Sequence, residues 1–239
     1  MVADWIPKNI DWYYTEENIA IACGDCLEVM KELPQVDCII ADPPYGINYS
    51  RHITNKRFDF IQNDNCLDWL GLCIQGLHRI LLNNNNLYMF CSWHNVDYFK
   101  QSIGKLFHIK NMLVWDKGGG GMGDLRTDYG NVYELIMFAC KYPNNQKALN
   151  GKRDNNILNF NRSGNKNHPT EKPVELIKYL INKSTNKNDL ILDPFLGSGT
   201  TLRACKDLGR KGIGIEISKK YCDIAIQRLS QEVFDFKYS

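Results

Sequence analysis

The chain has 239 residues, of which 29 are Lys or Arg and 27 are Asp or Glu, so its formal net charge at pH 7 is +2. With 44% hydrophobic and 23% charged residues, it has the composition of a globular protein that can bury a core without disulfides. No apolar run reaches the roughly 18 residues of a membrane span, and the N-terminal residues lack the pattern of a secretory signal. We therefore expect a cytoplasmic protein that does not associate with membranes.

The nine cysteines are scattered along the chain and odd in number. Cys38, Cys140 and Cys205 lie inside apolar runs, which is typical of buried free thiols in a reducing compartment. Cys23 and Cys26 form a CxxC pair without a second pair, which is weak support for a zinc or redox site. We predict no bound metal.

Apolar runs and helical periods alternate along most of the chain. In chain order they predict strand 18–23, helix 26–33, strand 36–41, helix 68–82, strand 87–91, helix 96–106, strand 109–115, strand 132–140, helix 174–181, strand 190–192, helix 200–208, strand 211–217 and helix 219–233. This alternation predicts an α/β fold with a mostly parallel sheet and helices on both faces. We expect it to form a single domain over residues 1–239.

The remaining segments are polar or rich in glycine. Four consecutive asparagines at 83–86 are expected to break the chain between a helix and a strand. Segments 46–66, 118–123 and 141–167 show no clear period and are expected to be loops.

The first motif, Asp42-Pro43-Pro44-Tyr45-Gly46, follows the apolar strand 36–41. Neither proline can donate a hydrogen bond to a sheet ladder, so the strand must end there. The stiff loop places a carboxylate, an aromatic ring and free carbonyls at the carboxyl end of a strand, where open α/β sheets bind ligands. A strand-ending turn with a capping Asp is the alternative interpretation.

The second motif, Asp193-Pro194-Phe195-Leu196-Gly197-Ser198-Gly199-Thr200-Thr201, lies between a strand and a helix. Its glycines permit a tight turn and a close approach of backbone to ligand, and the helix N-terminus favours negative charge. The motif lacks the Lys of a Walker A loop and the third glycine of the dinucleotide fingerprint. Glu216 ends the next strand, where an acidic side chain can bind ribose hydroxyls. The pattern favours a nucleoside that carries a carboxylate; a tight turn with a surface Glu is the alternative.

The third motif, His168-Pro169-Thr170-Glu171-Lys172-Pro173, directly precedes helix 174–181. A rigid helix entry with Thr170 as the cap explains it structurally. Alternatively, Lys172 can meet the carboxylate of the ligand.

Together the three motifs resemble those of the S-adenosylmethionine-dependent DNA amino-methyltransferases. The first motif resembles their catalytic tetrapeptide, Phe195-x-Gly197-x-Gly199 resembles their cofactor loop, and 168–173 resembles the segment before that loop in the permuted (β) group. The catalytic loop comes first and the cofactor loop last, as in that group, and the resemblance extends over about 19–229. It implies a circularly permuted Rossmann-like methyltransferase sheet of seven strands, one of them antiparallel, with a variable target-recognition region at about 116–167.

The resemblance also implies the reaction, which is transfer of a methyl group from S-adenosylmethionine to the exocyclic N6 of an adenine flipped out of double-stranded DNA. Asp42 and the Pro43 carbonyl would accept the amino hydrogen bonds, in a loop that Pro44 stiffens, and Tyr45 would stack on the base. The residues implied for the cofactor are Asp25, Cys26, Asp42, His168, Thr170, Lys172, Asp193, Phe195, Gly197, Ser198, Gly199, Thr200, Thr201 and Glu216.

DNA contacts are predicted from basic side chains. Segment 141–172 contains seven basic and two acidic residues, and seven minus two gives a local charge of +5, which suits phosphate contacts. A solvated loop is the alternative. The predicted contacts are Arg51, Arg57, Arg126, Lys152, Arg153 and Arg162. We also expect segments 46–66 and 118–123 to close over DNA.

Other functions stay open at this stage. N4-cytosine methylation is the nearest, although the family more often pairs that reaction with Ser at the position of Asp42. Enzymes that methylate RNA adenine or protein glutamine usually carry the cofactor loop first. An inactive nucleic-acid-binding module would not need an intact Asp42 and Tyr45. A homodimer and a cognate restriction endonuclease are further partners compatible with the resemblance.

Overall fold

The computed structural model describes residues 3–47, 64–119, 126–127, 129–142, 144, 147–162 and 171–231. The strands in these ranges are β1 Tyr14–Glu16, β2 Ile19–Cys23, β3 Val36–Ala41, β4 Leu81–Cys91, β5 His108–Asp116, β6 Tyr133–Cys140, β7 Ile157–Asn159, β8 Leu190–Asp193 and β9 Lys211–Glu216. The α-helices are α1 Cys26–Val29, α2 Leu70–Ile80, α3 Val96–Gly104, α4 Val174–Ser184, α5 Thr200–Leu208 and α6 Lys219–Ser230.

The described strands form one sheet in the order β1-β2-β9-β8-β3-β4-β6-β5-β7. Strands β2, β9, β8, β3 and β4 are mutually parallel, and β6 runs antiparallel to both of its neighbours, β4 and β5. The seven central strands therefore contain one antiparallel strand, which confirms the expected methyltransferase sheet. The short strands β1 and β7 extend it at its two ends.

Helices cover both faces of the sheet, as the alternation of elements predicted. The first face packs against α1, α2 and α3, and the second against α4, α5 and α6. Successive β3 side chains alternate between the two clusters, because side chains of a strand point to opposite faces. Thus Ile39 and Ala41 face the first cluster, and Cys38 and Ile40 the second.

The structure corrects the prediction at 83–86 and adds two short strands. Residues 83–86 do not break the chain but lie inside β4, because Asn86 pairs with Cys38 of β3 and with Cys140 of β6. Neither β1 nor β7 was predicted. Each has three residues, too few for a recognisable period, and each is defined by its pairing with the neighbouring strand.

None of the helices in the described ranges is long and apolar enough to cross a membrane.

The topology of the sheet reverses between β8 and β3. From β8 the chain proceeds through α5 to β9 on one side, and from β3 it proceeds through α2 to β4 on the other. Such a reversal opens a crevice at the carboxyl ends of the strands. A cavity of about 970 Å³ lies there.

Candidate active site

Four of the acidic residues that line the cavity lie at the ends of neighbouring strands, in the order of those strands. Asp25 follows β2, Glu216 ends β9, Asp193 ends β8 and Asp42 follows β3. The two loop motifs meet here because β3 and β8 are hydrogen-bonded neighbours, with Ile39 paired to Leu192. The structure thus brings Asp42 and the motif that begins at Asp193 to a single cavity, although 150 residues lie between Asp42 and Asp193 in the chain.

The glycine turn owes its shape to two left-handed residues. Gly197 and Gly199 have φ values of +53° and +84°, which residues with a Cβ rarely adopt. A Cβ on Gly199 would also lie 2.7 Å from the Cβ of Ala225. The turn is therefore possible only with glycine at this position, and it allows α5 to begin at the cavity wall.

Glu216 fixes this turn from the neighbouring strand. Its two carboxylate oxygens accept hydrogen bonds from the backbone N–H groups of Gly197 and Ser218, both at 2.8 Å. Burial nevertheless raises the pKa of Glu216 above its ordinary value. Each carboxylate oxygen has a second acceptor site, so the side chain can also bind hydroxyl groups in the cavity.

Asp193 is buried at the end of β8, between Glu216 on β9 and Asp42 after β3. Desolvation raises the pKa of its carboxyl to about 7, against the opposing hydrogen bonds from Thr201 and from the Phe195 N–H. The nearby carboxylates of Asp42 and Glu216 raise it further. Phe195 itself lies across the cavity wall from Trp69, with ring centroids 5.6 Å apart.

The lining fits S-adenosylmethionine in chemical terms. It offers aromatic faces for a purine at Trp69 and Phe195, a carboxylate for ribose hydroxyls at Glu216, and a turn whose glycines leave space for a ligand.

The Asp42-Pro43-Pro44-Tyr45 motif forms a separate wall of the cavity with its own charge network. The Asp42 carboxylate accepts from the Tyr45 hydroxyl at 2.6 Å through one oxygen and from Lys172 Nζ at 2.6 Å through the other. Glu134, on β6, lies 3.2 Å from the same ammonium and 2.6 Å from Lys117 Nζ. The loop is held from behind by Asn95, whose side-chain amide donates to the Tyr45 carbonyl at 2.7 Å.

Burial and charge set the ionisation of this network. Burial, opposed by Lys172 and reinforced by Glu134, raises the pKa of Asp42. The pKa of Glu134 is lowered, because Lys172 and Lys117 outweigh its burial. Burial alone would lower the pKa of Lys172, but the two carboxylates raise it. Lys172 is therefore a permanent cation shared by two carboxylates.

Most predicted cofactor residues lie together. Those that line the cavity are Asp25, Cys26, Asp42, Lys172, Asp193, Phe195, Gly197, Ser198, Thr200, Thr201 and Glu216. Gly199 lies behind the wall against Ala225. His168 and Thr170 lie outside the described residues. Lys172 contacts Asp42, whereas the sequence suggested a carboxylate of the ligand.

The predicted DNA contacts are more dispersed. Arg162 is exposed at the cavity, and Arg126, Lys152 and Arg153 are exposed elsewhere; Arg51 and Arg57 lie outside the described residues. Within the basic segment, Lys141 is buried and donates to the Leu81 carbonyl, and Lys147 pairs with Asp189. Local charge therefore overstated the number of cations available to phosphates.

Glu134 and Lys117 were not among the residues predicted from the sequence. The only signal was a carboxylate near the start of the apolar run 132–140. Its importance follows from the antiparallel direction of β6, which brings its first residues to the edge where β3 and β4 end.

A family model described as DNA methylase, of the N6/N4 group, matches residues 36–227 of this chain. The chain is 33% identical to DNA adenine methyltransferase YhdJ of Escherichia coli, in an alignment that covers 90% of the chain and 84% of the relative. It is 28% identical to the type II methyltransferase M.HpaI of Haemophilus parainfluenzae, over 90% of the chain and 76% of the relative.

Solved structures agree with this assignment. The complex of M1.HpyAVI with S-adenosylmethionine superposes with a TM-score of 0.68 at 30% identity, covering 88% of this chain and 99% of the other. The cytosine-N4-specific PvuII methyltransferase shares the fold with a TM-score of 0.75 at 15% identity, over 94% of this chain and 90% of the other. The chain belongs to the N6/N4 DNA methylase family and, as the motifs predicted, is an S-adenosylmethionine-dependent DNA methyltransferase.

Proposed function

We propose that this protein methylates the exocyclic N6 of adenine in double-stranded DNA. One observation carries the proposal: the Asp42-Pro43-Pro44-Tyr45 loop and the glycine turn line one cavity, with Asp42 and Glu216 on its wall. The likeness to the adenine methyltransferase YhdJ favours adenine over cytosine as the target.

The roles of the cofactor-side residues follow from their chemistry. Glu216 would accept hydrogen bonds from the ribose hydroxyls, Phe195 would pack on the cofactor near Trp69, and Asp25 would contact the adenine part. When bound, S-adenosylmethionine supplies a methyl group attached to a positively charged sulfur. The protein orients this methyl group toward the target amine and supplies the electrostatic environment of the reaction.

Asp42 and the Pro43 carbonyl act on the target amine. Its lone pair is delocalised into the base ring, so the amine is a poor nucleophile. Two acceptors placed on its N–H bonds favour a tetrahedral nitrogen, on which the lone pair is available for attack. Asp42 must be ionised for this role, and Lys172 at 2.6 Å keeps its pKa from rising further.

The base must leave the duplex to reach this wall. Tyr45 is the natural stacking surface, since base–aromatic stacking tolerates any base and contributes about 1–3 kcal/mol. Its ring is held edge-on to Phe99, with centroids 6.5 Å apart.

We propose that Arg51, Arg57, Arg126, Lys152, Arg153 and Arg162 contact DNA, and that residues 116–167 form a target-recognition region within a single domain over 1–239. As further partners we propose a second copy of this chain, in a homodimer, and a cognate restriction endonuclease.

Tritiated methyl transfer from S-adenosylmethionine to DNA tests the proposal. We expect label in N6-methyladenine with the wild type and none with Asp42→Ala, and sequencing of methylated DNA from expressing cells would give the recognition site. Label in N4-methylcytosine would reassign the target base. Equal labelling by both proteins would remove Asp42 from the mechanism.

A further inference from the structure

We propose that Glu134 is a positioning residue that receives the Lys172 ammonium when the target amino group takes its place at Asp42. This inference rests on the proposed function, because it concerns how the amino group gains access to the Asp42 carboxylate.

The ammonium is held between two carboxylates. Lys172 Nζ lies 2.6 Å from Asp42 Oδ2 and 3.2 Å from Glu134 Oε2, and its side chain is only 6% exposed. The rings of Phe90 and Tyr45 lie 5.0 and 5.8 Å from it. The aromatic faces and the two anions together confine the charge to a short path between Asp42 and Glu134.

Both oxygens of Asp42 are engaged in this arrangement, one by Lys172 and one by the Tyr45 hydroxyl. A carboxylate in close contact with an ammonium is a weaker acceptor for a neutral amine than one whose charge is free. Each oxygen keeps a second acceptor site for the amine, and Asp42 becomes the stronger acceptor when the Lys172 contact lengthens.

Glu134 makes that movement possible without leaving a buried cation far from an anion, which would be costly. A shift of a few tenths of an ångström brings Lys172 Nζ to an ordinary hydrogen-bond distance from Glu134 Oε2. Lys117, at 2.6 Å from the other oxygen of Glu134, holds that carboxylate in position.

The decisive variant is Glu134→Gln, which keeps the shape of the side chain and removes the second anion. We expect kcat/KM for cognate DNA to fall about tenfold to a hundredfold, the effect of one charged hydrogen bond. The dissociation constant of S-adenosylmethionine should change less than about threefold, because Glu134 is not among the residues proposed to bind it. Glu134→Asp keeps the charge and should recover part of the loss. Glu175→Gln is the matched control, since it removes an exposed carboxylate paired with Lys178.

Two comparisons separate this role from a structural one. A cognate duplex with purine at the target position lacks the amino group, so Glu134→Gln should weaken binding of the adenine duplex more than binding of the purine duplex. In a Lys172→Gln background the ammonium is gone, so Glu134→Gln should cause no further loss in kcat/KM.

The inference is overturned if kcat/KM of Glu134→Gln stays within twofold of the wild-type value. It is also overturned if the substitution weakens binding of the adenine and purine duplexes by the same factor. The inference would also be overturned if Glu134→Gln lowered kcat/KM by the same factor in the Lys172→Gln background as in the wild type. Should Glu134→Gln fail to fold, the ratio of adenine to purine binding in Glu134→Asp decides, and an unchanged ratio overturns the inference. Failure of the proposed function is distinct, because it would appear as an inactive wild type or as full activity in Asp42→Ala.

Discussion

Lys172 Nζ lies 2.6 Å from Asp42 Oδ2, although 130 positions separate the two residues in the chain. The contact joins the segment before α4 to the loop after β3 across the candidate active site. It predicts how activity depends on pH. Replacing Lys172 by Met removes a cation that lowers the pKa of Asp42, so that pKa should rise.

In the proposed mechanism Asp42 acts as a carboxylate, so activity should fall as the pH drops through its pKa. The acid limb of kcat/KM should therefore move to higher pH in Lys172→Met. Lys117→Met should move it less, because Lys117 contacts Glu134 and not Asp42. An unmoved limb in Lys172→Met would show that the acid limb does not report Asp42.

The buried Asp193 predicts how stability depends on pH. Its pKa of about 7 lies above the unfolded value, so the folded chain binds more protons between about pH 4 and 7. The contribution of Asp193 to stability should fall as the pH rises through this window, by up to about 4 kcal/mol, and stay constant above it.

Asp193→Asn keeps an acceptor for the Phe195 N–H and removes the titration. The gain in stability of this variant over the wild type should grow from pH 5 to pH 7, measured by urea unfolding at each pH. A constant difference would contradict the assignment.

Two glycine substitutions test the turn. Gly199→Ala forces a Cβ to within 3.0 Å of the Ala225 Cα at a φ of +84°, so it should destabilise the protein by about 2–4 kcal/mol and abolish cofactor binding. Gly71→Ala is the opposite control. Gly71 is exposed in α2, and nothing lies within 4 Å of the added Cβ. The substitution should therefore stabilise the protein by about 0.5–1 kcal/mol. Thermal unfolding and calorimetric titration with S-adenosylmethionine measure both.

Tyr45 has two separable parts. Its hydroxyl donates to Asp42, and its ring is the proposed stacking surface. Tyr45→Phe keeps the ring and should lose about tenfold or less in kcat/KM, whereas Tyr45→Ala should lose a further factor equivalent to about 1–3 kcal/mol. Steady-state kinetics with cognate DNA compare them. Equal losses would assign the whole effect to the hydroxyl.

Arg228 links three elements of the fold. Its guanidinium donates to the Thr200 hydroxyl at 2.6 Å and pairs with Glu171 at 2.8 Å, and both charged side chains are 8% exposed. Arg228→Gln should destabilise by about 3–5 kcal/mol. A double-mutant cycle with Glu171→Gln should give a coupling of about 1–3 kcal/mol, measured by chemical denaturation. Additive losses would mean that the pair contributes nothing as a unit.

The salt dependence of DNA affinity sorts the basic residues. Replacing a lysine or arginine that neutralises a phosphate by Gln should reduce the magnitude of the negative slope of log K against log salt by about 1. We expect this for Lys152, Arg153 and Arg162, which are exposed. Lys147→Gln should leave the slope unchanged, because Lys147 pairs with Asp189. Slopes equal to that of the wild type in the Lys152, Arg153 and Arg162 variants would exclude these residues from phosphate contact.

The sequence determined the elements whose signals are local. Helix α5 begins and ends at the predicted residues, because glycines in the left-handed conformation flank it on both sides. Strand β3 ends where two prolines prevent further pairing, so the sequence alone placed Asp42 and Tyr45 in a loop at the carboxyl end of a strand. Their expected roles came from the resemblance of the motif to a known family.

Tertiary structure decided everything that depends on which strands are neighbours. Asn86 belongs to a strand because β3 and β6 supply partners on either side of it. Lys141 and Lys147 have the charge of DNA contacts but face internal partners. Glu134 joins Asp42 because β6 runs antiparallel, and strand direction is a property of the assembled sheet that no local sequence pattern encodes.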